Sequence, residues 1–188
     1  WGASGGDIWV QPEGARGNGI PGGGLLGSRR PKPEEPAMSI DARLTELGLT
    51  LPDAPAPAAN YVPHVQSGNL LFVSGQISAG PDGLIRGRLG EDMDVAAGAA
   101  AARACGLALL AQARAAAGSL DQIARVVKLT GFVASTPEFT DQPEVINGCS
   151  DLMVEVFGER GRHARAAVSA AALPRGVAVE IEAIFELG

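Results

Sequence analysis

Two glutamates and an arginine near the C-terminus have the residue types and spacing for chemistry. In residues 177–185, Val177, Val179, Ile181, Ala183 and Phe185 fall at every second position, with Glu180 and Glu182 between them. A period of two is that of a β-strand with one apolar face, so both carboxylates project from the other face. Such a pair is either a solvated sheet surface or an acid–base group in a cleft between chains, where one carboxylate could direct a water. Arg165 heads the preceding predicted strand, fifteen positions before Glu180. Its planar fork suits a carboxylate, either of a ligand or of Glu180 or Glu182 in a structural ion pair.

Three other residues are candidates for the walls of such a site. Ser74 ends a strong predicted strand and precedes Gly75, where the missing side chain permits close backbone approach. Tyr61 is the single tyrosine, an apolar ring with a polar tip. Asn147 sits inside a predicted helix, where Asn is mildly unfavourable unless it contacts something. His64 and His163 have no Cys, Asp or Glu at ligand spacing, so no metal is expected. No phosphate-binding glycine loop or nucleophile elbow is present in the right context, so no cofactor is expected either.

The elements that must position these residues follow from pattern. After a short helix capped by Ser39 and a Pro-rich linker over 51–57, strands are predicted at 60–66, 69–77 and 84–88, the last two as a hairpin through Pro81-Asp82-Gly83. Residues 92–117, rich in Ala and stopped by Gly118, are the clearest helix, with small side chains that suit close packing on a sheet. A strand at 125–134, a helix at 140–157 with Pro143 in its first turn, and strands at 165–173 and 177–185 complete the order. Two helices can cover one sheet face, and an uncovered apolar face predicts a partner.

Bulk properties exclude several classes. A net charge of −6 and a pI near 4.9 give no basic patch for nucleic acid or for anionic lipid. Two separated cysteines, Cys105 and Cys149, read as buried thiols in a reducing cytoplasm. No apolar run is read as reaching the roughly 20 residues of a membrane span. Residues 1–37 hold 10 Gly and 5 Pro and are read as a disordered or non-native extension, with the folded domain over 38–188.

Taken together, these segments resemble the Rid (YjgF-type) family, also known as L-PSP endoribonucleases. The resemblance spans most of 61–185. It rests on Tyr61 ahead of Gly68-Asn69, the strand end Val73-Ser74-Gly75-Gln76, Val145-Ile146-Asn147, the strand start His163-Ala164-Arg165, and Leu173-Pro174-Arg175-Gly176 leading into Glu180-Ile181-Glu182-Ala183. It implies an α+β, chorismate-mutase-like single domain: a mixed sheet with two long helices on one face, and three copies forming a homotrimeric barrel with sites between subunits.

By the same resemblance Arg165 clamps a substrate carboxylate and Glu180 positions the attacking water, while Tyr61, Ser74 and Asn147 contact the substrate. The implied activity is hydrolysis of reactive 2-imino or enamino acids to 2-keto acids and ammonia without a cofactor. Its partners would be copies of itself and a small carboxylate ligand. Departures mark a divergent subgroup: the family usually has Pro where His163 stands, and archetypal members carry Ser and often Cys where this chain has Ala166 and Ala167. A non-catalytic trimer that binds small carboxylates is the second reading and ribonuclease action the third.

Overall fold

The predicted alternation of the last strand sets the architecture. In the computed structural model, which describes residues 38–54 and 60–188, Val179, Ile181, Ala183 and Phe185 are all buried, and Glu180 and Glu182 are not. They belong to β7, Val179–Leu187, at the centre of a five-stranded sheet. The order is β1-β2-β7-β5-β6, with β1 His64–Ser67, β2 Leu70–Ile77, β5 Ile123–Ala134 and β6 Ala164–Ala170. β7 runs antiparallel to both β2 and β5, whereas β5 and β6 are parallel. The expectation for residues 1–37, and that for 55–57 of the linker, lie outside the described residues.

Three strand expectations need correction. The hairpin between 69–77 and 84–88 does not form: β2 pairs with β1 and β7, and the Pro81-Asp82-Gly83 turn closes only a two-residue ribbon, β3 Ala79–Gly80 with β4 Gly83–Leu84. Gly87, with φ 148, interrupts the extended backbone before a longer strand can build. The Arg165 strand is also not beside the Glu180 strand, because β5 lies between them. A parallel connection from β5 needs a crossover, here a helix, and the chain returns on the outer side of β5. The last two strands are shorter at their facing ends than 165–173 and 177–185 suggest, because Pro174–Gly176 forms a 3₁₀ turn.

Helix α2, Val95–Ala117, starts where the Asp94 side chain accepts a hydrogen bond from the Ala97 amide at 2.8 Å, three residues after the expected start. It ends at Gly118, with φ 80. Helix α3, Gln142–Phe157, carries Pro143 in its first turn, as expected. Both helices pack on the face of the sheet that holds Ile181 and Phe185. By length and composition α2 could cross a membrane, with a mean hydropathy of 1.4, contrary to the sequence expectation. In the fold its Ala101, Ala102, Cys105 and Leu109 are core residues.

The small residues serve helix–helix contact more than helix–sheet contact. A Cβ on Gly148 would fall on the Ala99 carbonyl, and one on Gly106 would lie 2.8 Å from Leu152 and 3.1 Å from the Cys149 Sγ. Helix α1, Ile40–Glu46, docks at the far end of α3: Arg43 Nε donates to the Glu155 carbonyl at 3.0 Å, and the Ile40 amide donates to Asp121 at 2.8 Å. The opposite face of the sheet carries no helix. On it Val65, Phe72 and Val168 are 53%, 40% and 45% exposed.

Gly148→Ala tests this packing. In an exposed helix the change would gain about 1 kcal/mol, but here the new methyl meets backbone, and overpacking costs roughly 1–3 kcal/mol. The denaturation midpoint should fall, with an unchanged denaturant slope.

Candidate active site

Glu180 lies where β2 is irregular. Register between β2 and β7 shifts between Val73 and Gln76, a bulge that contains Ser74 and Gly75. A side chain at Gly75 would overlap the Glu180 carboxyl group, so the glycine is what lets this carboxylate lie against the β2 backbone. The buried Gln76 amide donates to the Ser74 carbonyl at 2.9 Å and fixes the bulge from within. β1 pairs only with the first half of β2, so beyond Val73 the edge of β2 is free of strand pairing. There the Ser74 hydroxyl donates to the Val62 carbonyl at 2.9 Å, tying down the backbone beside Tyr61.

A cavity of about 790 Å³ opens along this free edge. Glu180, Tyr61 and Ser74 all line it, so three of the expected site residues meet there. Glu180 is the one acid among the described lining residues. Burial pushes its pKa up from the ordinary carboxylate range, and the like charge of Glu182 adds to the shift.

Arg165 and Asn147 do not share that cavity. Along β6, Arg165 is in register with Leu129, on the helix-covered face, whereas Glu180 is in register with Phe132 on the open face. Arg165 is held by α3: its Nη1 donates to Asn147 Oδ1 at 2.8 Å and to Ser150 Oγ at 3.1 Å. Asn147 therefore positions the arginine. No ion pair joins Arg165 to Glu180 or Glu182 among the described residues.

The support extends one residue further. His163 Nδ1 lies 2.6 Å from the Gly161 carbonyl, which can only accept, so Nδ1 carries the proton. Nε2, 3.0 Å from Ser150 Oγ, is then the acceptor in the neutral ring. The Ser150 hydroxyl donates to it and turns a lone pair to Arg165. Burial holds the His163 pKa below its usual value; the Gly161 hydrogen bond opposes this, and the still smaller effect of the Arg165 charge adds to it. The three-residue relay therefore keeps its polarity at neutral pH. A second, smaller hollow of about 250 Å³ adjoins it, lined by Ser150, His163 and Arg165.

Sequence reasoning passed over two parts of the cavity. One is the stripe Ala104, Ala108 and Gln112 on α2, with Leu107 beside it, whose four-residue spacing puts it on one side of the helix. The other is Arg175, at the rim with φ 58, the single non-glycine residue at positive φ among the described residues. Backbone strain of this kind collects at ligand sites, and the Arg86 Nε bond to the Arg175 carbonyl, 3.0 Å, holds it in place.

A family model described as "YjgF/chorismate mutase-like, putative endoribonuclease" matches residues 41–185. The chain belongs to this YjgF/chorismate mutase-like family. It is 53% identical to protein TCP17 of Trypanosoma cruzi, over 79% of this chain and 94% of the relative. Among solved structures, Atu1372 of Agrobacterium tumefaciens is 53% identical with a TM-score of 0.73, covering 79% of this chain and 92% of that one. TdcF of E. coli, solved with bound serine, is 28% identical with a TM-score of 0.51, covering 72% and 94%. The α+β fold of the YjgF type, with its mixed sheet and helices, is thus shown both by the architecture and by these likenesses.

The raised Glu180 pKa has a defined consequence for stability. A carboxyl whose folded value exceeds its unfolded one contributes stability below the ordinary glutamate range, and that contribution is lost as pH rises through the raised value. Carboxyl-carbon NMR titration should find Glu180 above the other glutamates. Glu182→Gln should lower it by removing the like charge, without returning it to the ordinary value, because burial is the larger cause.

Proposed function

We propose that this protein hydrolyses reactive 2-imino or enamino acids to 2-keto acids and ammonia, in sites completed between copies of the chain. The observation that carries this reading is the placement of two complementary half-sites at opposite margins of one sheet. The Glu180 cavity follows the free edge of β2, next to the outer strand β1, and the anchored Arg165 stands on the other outer strand, β6. A closed ring of identical chains puts the β6 margin of one copy against the β1–β2 margin of the next. Burial of the open face, with Val65, Phe72 and Val168, supplies an apolar reason for that ring to form. Three copies, as the family resemblance implies, would give three sites.

In such a site the guanidinium grips the substrate carboxylate in a fork, and Asn147 and Ser150 hold the fork in place. The imine carbon is already electrophilic, so the chemistry needs a directed water and a place for its proton. Glu180 as carboxylate takes the proton as the water oxygen bonds to that carbon. It returns that proton to nitrogen, then takes the proton of the new hydroxyl as the carbon–nitrogen bond breaks, so that the ketone forms, and the departing ammonia carries that proton away from Glu180 as ammonium. The raised pKa of Glu180 favours both halves of this exchange. Serine in the TdcF structure is a small amino acid with the same carboxylate end, which supports a ligand of this class. A net charge of −6 gives no comparable support to a nucleic-acid substrate.

Ammonia release from a freshly generated imino acid should fall by roughly 10²–10⁴-fold in Glu180→Gln. In Arg165→Ala it should fall with a marked rise in KM. Mixing the two inactive variants and refolding them together should restore activity, at about a quarter of the sites, because an intact Arg165 on one copy can then face an intact Glu180 on its neighbour. No restoration would place both groups in a single-chain site and remove the reading. The rate should decline below an apparent pKa above the ordinary glutamate value, as Glu180 takes up a proton.

A further inference from the structure

The cavity that holds Glu180 has a mostly apolar wall. Its volume, about 790 Å³, is in the upper part of the range for small-molecule sites. A substrate attacked at the carbon beside its carboxylate needs that carbon near Glu180, which leaves the apolar wall to its side chain. That wall includes Leu51 and Pro52 of the arm that follows α1, and Ala104, Leu107 and Ala108 of α2. These residues carry no charge. The space exists because two positions on one side of α2, four residues apart, are Ala: a larger residue at 104 or 108 would project into it.

We propose that this apolar wall receives the substrate side chain, and that the preferred substrates are 2-imino acids with branched aliphatic or aromatic side chains. The assignment rests on the deaminase reading for the position of the carboxylate. The direction of the side chain comes from the cavity alone. An imino acid with a second carboxylate would set a charge against Leu51 and Leu107, where the one cation among the described lining residues is Arg175 at the rim, and a charge laid on that apolar wall is unfavourable. A methyl side chain would leave most of the apolar wall against water. Each carbon of an isobutyl group over a methyl adds transfer free energy of its own, so a leucine-derived imine should be preferred over an alanine-derived one by about 50-fold in kcat/KM.

The test compares these two imines, made in place by an amino acid oxidase, in the native protein and in Ala104→Leu and Ala108→Leu. Two positions are used because Ala108 is nearly buried and its variant could fail to fold, whereas Ala104 is partly exposed. The expected result is a preference of tens-fold for the larger imine in the native protein, reduced at least ten-fold in whichever variant is folded. Equal hydrolysis of both imines overturns the assignment and leaves the deaminase reading standing. If neither imine is hydrolysed, the deaminase reading falls, and calorimetric titration with pyruvate and 4-methyl-2-oxopentanoate decides the cavity by itself. Tighter binding of the larger acid, weakened in Ala104→Leu, supports the assignment, and equal binding removes it.

Discussion

The strict alternation of β7 governs the rest of the molecule. As the middle strand of five, it must bury one face completely against α2 and α3, and every second side chain does so. The intervening positions, Glu180 and Glu182, are thereby forced onto the face that no helix covers. Glu180 escapes full exposure because the neighbouring strand bulges and offers a glycine at the point of contact. Its raised pKa, its access to the cavity and its distance from Arg165 all follow from that one geometric requirement. A slip of one residue in β7 would exchange the core with the carboxylates.

The core of this arrangement was readable in the residue pattern. The period of two over 177–185, the Ala-rich run of α2 with its stop at Gly118 and the Pro in the first turn of α3 fixed the main elements to within a few residues. Strand order was less legible. Nothing in the sequence near Arg165 says that β5 will intervene, because the placement of a parallel strand depends on the length and path of its crossover. The short ribbon at 79–84 was likewise hidden: a turn signal marks a reversal and says nothing about how far the pairing runs beyond it.

The candidate site was legible by residue type and illegible by grouping. Tyr61, Ser74 and Glu180 do converge. Asn147 turned out to hold Arg165 in place, a role that the helical position of Asn147 suggested only as an unspecified contact. The α2 stripe was read as packing because Ala at helical spacing usually is packing. Only the spatial neighbour, the arm carrying Leu51 and Pro52, shows that one side of the helix faces space. Arg165 and Glu180 occupy separate hollows within one chain, and the burial of an otherwise exposed apolar sheet face is the term that could bring such half-sites together.

The two cysteines have a chemical consequence of their own. Cys149 is pushed up to about 12 by burial, with the Arg165 charge opposing only weakly. Cys105 is also raised, mainly by burial, and Cys149 and Glu180 push in the same direction. Both thiols therefore stay protonated at any physiological pH, and a protonated thiol is a poor nucleophile. The chain has no other sulfhydryl. An electrophile passing along the β2 edge meets no thiolate that could trap it, so a reactive substrate of the proposed class would not alkylate the protein's own thiols.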